Sequence, residues 1–272
     1  MIDAHIHFWR IARGDNALEA GSPLRRDFEP VDLQPLLGAA EVDSIVVVQA
    51  AETHAENLYT IGLAARHPVI AGVIAWIDPG SPAIDEEIAA LKLTGVVKGL
   101  RPVRDGNLSI HWMLDPRLSP GYEAIRRSGM SLDILIEDPS DLPRVLQLAR
   151  QHPDLSIILN HCGKPDIAGG LNEPWASDIA DVASCANVSC KFSALLNRAA
   201  LGAGVAELAP YASHVVQIFG ACRLLWASNW PPLTRVSDYA TWRQVSRELL
   251  APLSFEDRAL IEHGNARRVY RL

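Results

Sequence analysis

The strongest constraint on the fold is a count of apolar runs. Eight short stretches rich in β-branched residues recur along the chain, at residues 1–7, 44–50, 69–77, 94–101, 130–136, 156–161, 187–193 and 223–228. They are continuous rather than alternating, as in Ile45-Val46-Val47-Val48, which is the pattern of strands covered on both faces and hence of a parallel sheet. Between most of them lies a segment with helical spacing; within residues 140–151, Leu142, Val145, Leu146 and Ala149 fall on one stripe. Ser254 followed by Asp257 starts a last helix in the manner of a capping box, and Gly264 predicts a break before residues 265–270. Eight strands alternating with helices over residues 1–272 predict one α/β domain, a (β/α)8 TIM-like barrel. A doubly wound sheet would carry a glycine-rich nucleotide loop after its first strand. The near match, Gly202-Ala203-Gly204, lacks the third glycine and follows no strand.

Charge and composition exclude several function classes. Lys and Arg total 25 against 32 Asp and Glu, a formal charge of −7 that argues against a nucleic acid or an anionic membrane as partner. The longest strongly apolar stretch, residues 69–77, is half the length a membrane-crossing helix needs. The opening Met-Ile-Asp-Ala-His has neither the basic nor the apolar region of a secretory signal, so a cytoplasmic protein is expected. Cys162, Cys185, Cys190 and Cys222 form no CxxC pair and are expected to be buried free thiols. The sequence alone gives no reading of oligomeric state.

Barrel enzymes work at the C-terminal ends of their strands, so the residues there are the candidates. His5 and His7, two apart, face the same side of the first strand, and His161 ends the sixth. Three imidazoles so placed can bind one metal or, without it, polarise a carbonyl and move a proton. Gln49, Arg101, Lys191 with Ser193, and Asn229 with Trp230 end four further strands. Arg101 suits a carboxylate or ring oxygen, and Trp9 and Trp230 are candidate flat walls for a sugar face. Two long connections, residues 8–30 and 102–120, are lid candidates carrying Trp9, Arg10, Arg13, Arg25, Arg26, His111 and Trp112. His54, His67, His152, His214 and His263 are expected in helices or at their ends, away from the chemistry. No Gly-x-Ser-x-Gly or His-Glu-x-x-His motif is present, and Asp133 and Glu137, on one strand, are poorly placed for a glycosidase pair.

Ile2-Asp3-Ala4-His5-Ile6-His7-Phe8-Trp9, Val48-Gln49-Ala50-Ala51, Gly99-Leu100-Arg101-Pro102, the stretch from His161 to Ile167, Cys190-Lys191-Phe192-Ser193 and Ala227-Ser228-Asn229-Trp230-Pro231 occur in this order. Together they resemble the amidohydrolase-related lactonases, the branch that includes L-fucono-lactonase and L-rhamnono-lactonase. The resemblance runs nearly the whole chain. It implies an amidohydrolase-type barrel, hydrolysis of a small-molecule sugar-acid lactone, and a site containing His5, His7 and His161. On that reading these imidazoles and Arg101 hold the lactone carbonyl, while Gln49, Lys191 and Ser193 orient hydroxyls or water.

Two departures stand out. Where the family's lactonases usually carry Asp, this chain has Asn229, which can position a nucleophile but cannot accept its proton. Relatives with Asn there resemble galactarolactone isomerase, so a lactone isomerase is the first alternative and a non-catalytic sugar-acid binder the second. The fifth strand also lacks the histidine of metal-rich relatives. Catalysis without a cofactor is therefore the preferred expectation, with a single zinc on His5, His7 and His161 as the alternative.

Overall fold

A computed structural model of the chain describes residues 1–15, 18, 21–102, 110–170 and 172–272. All eight runs are strands in it: β1 (Ile2–Ile6), β2 (Ser44–Val48), β3 (Ile70–Trp76), β4 (Val97–Arg101), β5 (Ser131–Ile134), β6 (Ile157–Leu159), β7 (Val188–Phe192) and β8 (Leu224–Trp226). They pair in parallel and in sequence order to make one eight-stranded sheet. The ring closes at its C-terminal rim, where His7 N–H donates to the Trp230 carbonyl at 2.9 Å and Asn229 N–H to the His5 carbonyl at 3.1 Å. Helices fill the intervals between strands, as in a (β/α)8 barrel.

Strand alternation divides the core. Val46, Val48, Ile74, Ile158, Leu225 and Ala227 pack inside the ring, while Val47, Val73, Ala75, Leu132, Leu159 and Trp226 face the helices. In β1 the alternation switches: Ile2 and Ala4 belong to the inner cluster, but Ile6 and Phe8 belong to the outer one. The switch coincides with a slip in register against β2 between Asp3 and Ile6. A bulge of this kind re-aims side chains, and here it turns His5 and His7 into the barrel. Gly99 in β4 permits the close approach of β5, because a Cβ there would stand 2.3 Å from Ser131 Oγ.

The helix Leu142–Gln151 buries Leu142, Val145, Leu148 and Ala149, so Leu148 rather than the expected Leu146 completes its stripe. Ser254 caps the helix Phe255–Ala259 by accepting from Asp257 N–H at 3.0 Å. The break expected at Gly264 does not occur. A π-helical turn, Leu260–Gly264, carries the chain into the helix Asn265–Tyr270, which plugs the floor of the barrel with Ala266 and Tyr270. The four cysteines are free; Cys162 and Cys190 are buried as expected, but Cys185 is half-buried and Cys222, in the turn Ala221–Arg223 before β8, is exposed. No helix among the described residues is long and apolar enough to cross a membrane.

Candidate active site

Each polar group around the first-strand histidines fixes the proton of the next. Val48 O can only accept, and it stands 2.9 Å from His7 Nδ1, so His7 carries its proton there and Nε2 is a bare acceptor. His5 Nε2, 2.9 Å away, must donate to it. His5 Nδ1 is thereby left to accept from the Lys191 ammonium at 3.1 Å. Lys191 is held in turn by Asp133 at 2.6 Å, with both side chains fully buried, and Asp133 also accepts from Ser131 Oγ and from the Tyr270 hydroxyl. The chain of donors thus runs from the barrel floor to the rim.

The sixth strand supplies the third imidazole. His161 Nδ1 lies 2.8 Å from Ser193 Oγ, whose hydroxyl donates to Lys191 O at 3.4 Å. In the tautomer with the proton on Nδ1, Ser193 Oγ accepts from that nitrogen and Nε2 of His161 keeps its lone pair. The ring centroids of His5 and His161 are 4.5 Å apart, so imidazoles from β1 and β6 meet at one rim. Arg101 is clamped there by Gln49, its Nε on Oε1 and its Nη2 on the carbonyl, both at 2.6 Å. Backbone strain gathers at the same rim: His161, Ala194 and Asn229 have φ of 59°, 58° and 61°. Left-handed geometry of this kind costs about 1–2 kcal/mol for an ordinary residue and persists where surrounding structure enforces it.

These groups open on a cavity of about 600 Å³. Its lining includes His7, His161, Arg101, Asn229 and Trp9 from the sequence-derived set. The others lie behind them: His5, fully buried and held by Lys191, stands behind His7, Gln49 supports Arg101, and Ser193 supports His161. None of the four lines the cavity, so direct contact of His5 with the carbonyl, and of Gln49, Lys191 and Ser193 with substrate hydroxyls, gives way to positioning. Trp230 is also displaced from its expected place. Its ring packs edge-on against Phe8 and Phe28, with centroids 5.9 and 5.4 Å away, because the outward face of the β1 end is apolar there.

The first long connection is tied down over the rim. Trp9 and Phe28 exchange backbone hydrogen bonds at 3.0 and 2.9 Å, and Arg13 reaches buried Glu56 at 2.9 Å. Leu18 and Leu24 from this connection line the cavity. In the second connection, residues 103–109 lie outside the described residues, and His111 contacts Arg144 at 3.0 Å. His54, His67, His152, His214 and His263 line no part of this cavity.

Sequence reasoning gave no site role to Lys164, Arg198 and Arg235, which line the cavity from the segments after β6, β7 and β8, and weighed Glu137, which pairs with Lys164 at 2.7 Å, only as a glycosidase carboxylate. Their signal was position, since each follows a strand end within a few residues. It also missed Asp3, whose carboxylate accepts from His5 N–H, Ser228 N–H and the Tyr239 hydroxyl and so ties β8 to β1.

Burial governs the electrostatics. It pushes His7 down to about 3, with Arg101 adding to the effect. Burial, then Lys191, holds His5 well below the ordinary imidazole range, and burial, then Lys164, does the same to His161. All three rings are neutral at pH 7. Burial also lowers Arg101 to about 10, against the opposing attraction of Asp133.

The donor set fits a metal poorly. To bind one through Nε2, His5 would have to move its proton to Nδ1, where it would face the Lys191 ammonium. Among the described residues, no group of three or more His, Cys, Asp or Glu is arranged to hold an ion.

A family model described as "Amidohydrolase" matches residues 2–272. The chain is 35% identical over 284 residues to an L-fucono-1,5-lactonase of Burkholderia ambifaria, covering all of this chain and 95% of the relative. It is 28% identical to an L-fucono-1,5-lactonase of Burkholderia multivorans, covering all of this chain and 96% of that protein. Its backbone superposes with a TM-score of 0.93 on the crystal structure of an amidohydrolase from Burkholderia multivorans with bound zinc, at 26% identity, covering all of this chain and 99% of the other.

Proposed function

The chain belongs to the amidohydrolase family, and we propose that it is a hydrolase that opens the ring of a sugar-acid lactone. The reading rests above all on one juxtaposition: a neutral imidazole from β6, His161, and a guanidinium from β4, Arg101, line the same cavity in a chain similar over its whole length to L-fucono-1,5-lactonases.

The chemistry follows from the protons already assigned. Arg101 faces the lactone carbonyl and stabilises the negative charge that develops on its oxygen. Water, oriented by the Asn229 amide, adds to the carbonyl carbon while His161 Nε2 takes its proton. The bond from that carbon to the ring oxygen then breaks, and the proton passes from His161 to the departing oxygen. The product is a hydroxy acid, which ionises and releases one proton per turnover near neutral pH. His7, fixed by Val48 and His5, lines the same wall and cannot swing away.

We assign no step to a metal, because a cation on His5 would require Lys191 to lose its proton or withdraw. The four free cysteines suit a reducing compartment, and we assign the reaction to the cytoplasm on that basis. The test of function is a panel of aldono- and aldarolactones followed by proton release. Turnover of at least one is expected; silence across the panel would refute the reading.

Asn229 favours one second reading, a lactone isomerase. In that reaction a substrate hydroxyl rather than water attacks the carbonyl, so a carboxylate base matters less. Product analysis by NMR separates ring migration from ring opening.

A further inference from the structure

The cavity carries more positive charge than lactone opening requires. The chain as a whole is acidic, at −7, yet Arg101, Lys164, Arg198 and Arg235 line this cavity against one carboxylate, Glu137, among the described lining residues. Glu137 is committed to Lys164 at 2.7 Å. Arg198 donates its Nε to the Pro165 carbonyl at 3.3 Å and, like Arg235, has no ion pair among the described residues. Outside the cavity, Arg10, Arg13, Arg117 and Arg126 pair with carboxylates, while Arg223, Arg258 and Arg268 bind backbone carbonyls; what sets this cavity apart is the gathering of four cations around one carboxylate.

Topology separates these cations into two groups. Arg101 ends β4, while Arg198 lies in the short helix Leu195–Arg198 after β7 and Arg235 in the turn Pro232–Arg235 after β8. In a ring of eight strands paired in order, β4 stands opposite β8. The carbonyl under attack, and the carboxylate it becomes, belong with Arg101 and the imidazoles. Arg235, after β8, stands across the mouth from Arg101, with Arg198 beside it after β7, and there a neutral sugar would offer them only hydroxyl groups. Arg235 is exposed at the lip of the cavity and Arg198 is half-buried, feeling the charge of Asp138, but neither is spent in an ion pair among the described residues, and cations gathered at one mouth of an acidic protein are matched best by an anion on the ligand.

We propose that the substrate carries a second, ionised carboxyl group at the end remote from the lactone carbonyl, as in an aldarolactone, and that Arg198 and Arg235 bind it. A cavity of about 600 Å³ has room for a six-carbon ligand spanning both groups of cations. The inference rests on the lactone reading above and narrows it from sugar-acid lactones in general to those bearing a free carboxylate.

Three matched probes test it: a hexarolactone with its free terminal carboxylate, the primary amide of the same lactone, and the hexonolactone ending in a hydroxymethyl group. The full-length protein is expected to open the free acid with kcat/KM about 100-fold above either neutral probe, the effect of one or two charge-assisted contacts. Raising the salt concentration should erode that preference. Arg198→Gln and Arg235→Gln should each cut the ratio of acid to amide kcat/KM at least about tenfold, mainly through KM. Equal or better turnover of the neutral probes, or an acid-to-amide ratio unmoved in both variants, would overturn the proposal while leaving the lactone reading intact. Failure to open any of the three, or other lactones of the panel, would refute the lactone reading itself.

Discussion

The ammonium of Lys191 stands 3.1 Å from Nδ1 of His5, at the base of the site rather than in it. Burial lowers the Lys191 pKa, and the Asp133 carboxylate, 2.6 Å away in a region closed to solvent, opposes that shift and favours the ammonium. Through this contact a strand-seven cation decides which nitrogen of a strand-one histidine carries hydrogen. Lys191→Met should leave the Asp133 carboxylate buried without its counterion and destabilise the protein by about 3–5 kcal/mol. Removing both charges, as Lys191→Met with Asp133→Leu, should restore most of that stability. Activity should stay low, because His5 is then free to take the other tautomer. Urea unfolding and kcat, measured on the single and double variants, check both halves; recovery of activity along with stability would contradict the positioning role.

Asn229 lines the cavity with its backbone N–H on the His5 carbonyl. Asn229→Asp places a carboxylate beside the attacking water at almost unchanged volume. If the native reaction is hydrolysis with a weakly basic imidazole, the variant should hydrolyse the substrate faster, by about tenfold or more. A fall in lactone turnover, with ring-migrated products lost, would point to the isomerase.

Burial sets a distinctive dependence of stability on pH. The folded protein holds His7 at about 3 against an ordinary 6.5, and His5 and His161 are lowered in the same sense. Below 6.5 the unfolded chain binds protons that the folded one refuses. The stability these rings contribute is thus present above 6.5 and lost as the pH falls below it, for His7 down to about 3, each adding a slope of about 1.4 kcal/mol per pH unit. Asp3, raised by burial to about 6, and Glu56, raised by burial to about 7, act oppositely: their contribution is present below their unfolded values and lost as the pH rises through 6 to 7. Three imidazoles against two carboxylates leave a net loss on acidification from pH 6.5 to 4.5. Urea midpoints at pH 6.5, 5.5 and 4.5 should fall in that order, and less steeply in His7→Asn; a flat or rising series would contradict the assignment.

Much of this arrangement was legible in the residues. The eight continuous apolar runs specified the strands, because a strand covered on both faces has no polar alternative, and the strands came out shorter only at their frayed ends. His5, His7, His161 and Arg101 were legible because a strand's last residues point into the mouth of any such barrel. The supporting groups were not. Asp133 meets Lys191 across 58 positions and Tyr270 meets Asp133 across 137, and pairings that distant leave no local pattern. Gln49, Lys191 and Ser193 were found, but they stand behind the cavity wall rather than on it, since chain position says that a polar group is near the site and not whether it faces the cavity or a neighbour. Trp230 misled for the same reason, its ring turning toward Phe8 and Phe28.

Removal of divalent cations provides a separate check on the hydrogen-bond chain. With His5 Nε2 donating to His7, prolonged dialysis against a strong chelator should leave kcat unchanged, and the purified protein should contain well under one zinc per chain. Stoichiometric zinc with activity lost on chelation and restored on its return would mean that Lys191 does not hold His5 in the donor tautomer.

The most direct measurement is lactone opening in water enriched in oxygen-18, with the wild-type protein and His161→Gln run side by side and the products weighed by mass spectrometry. The wild type should place one heavy oxygen in the new carboxylate, at a rate about 100-fold or more above the variant. Unlabelled product from the wild type, or equal rates for the two proteins, would contradict hydrolysis assisted by the imidazole of His161.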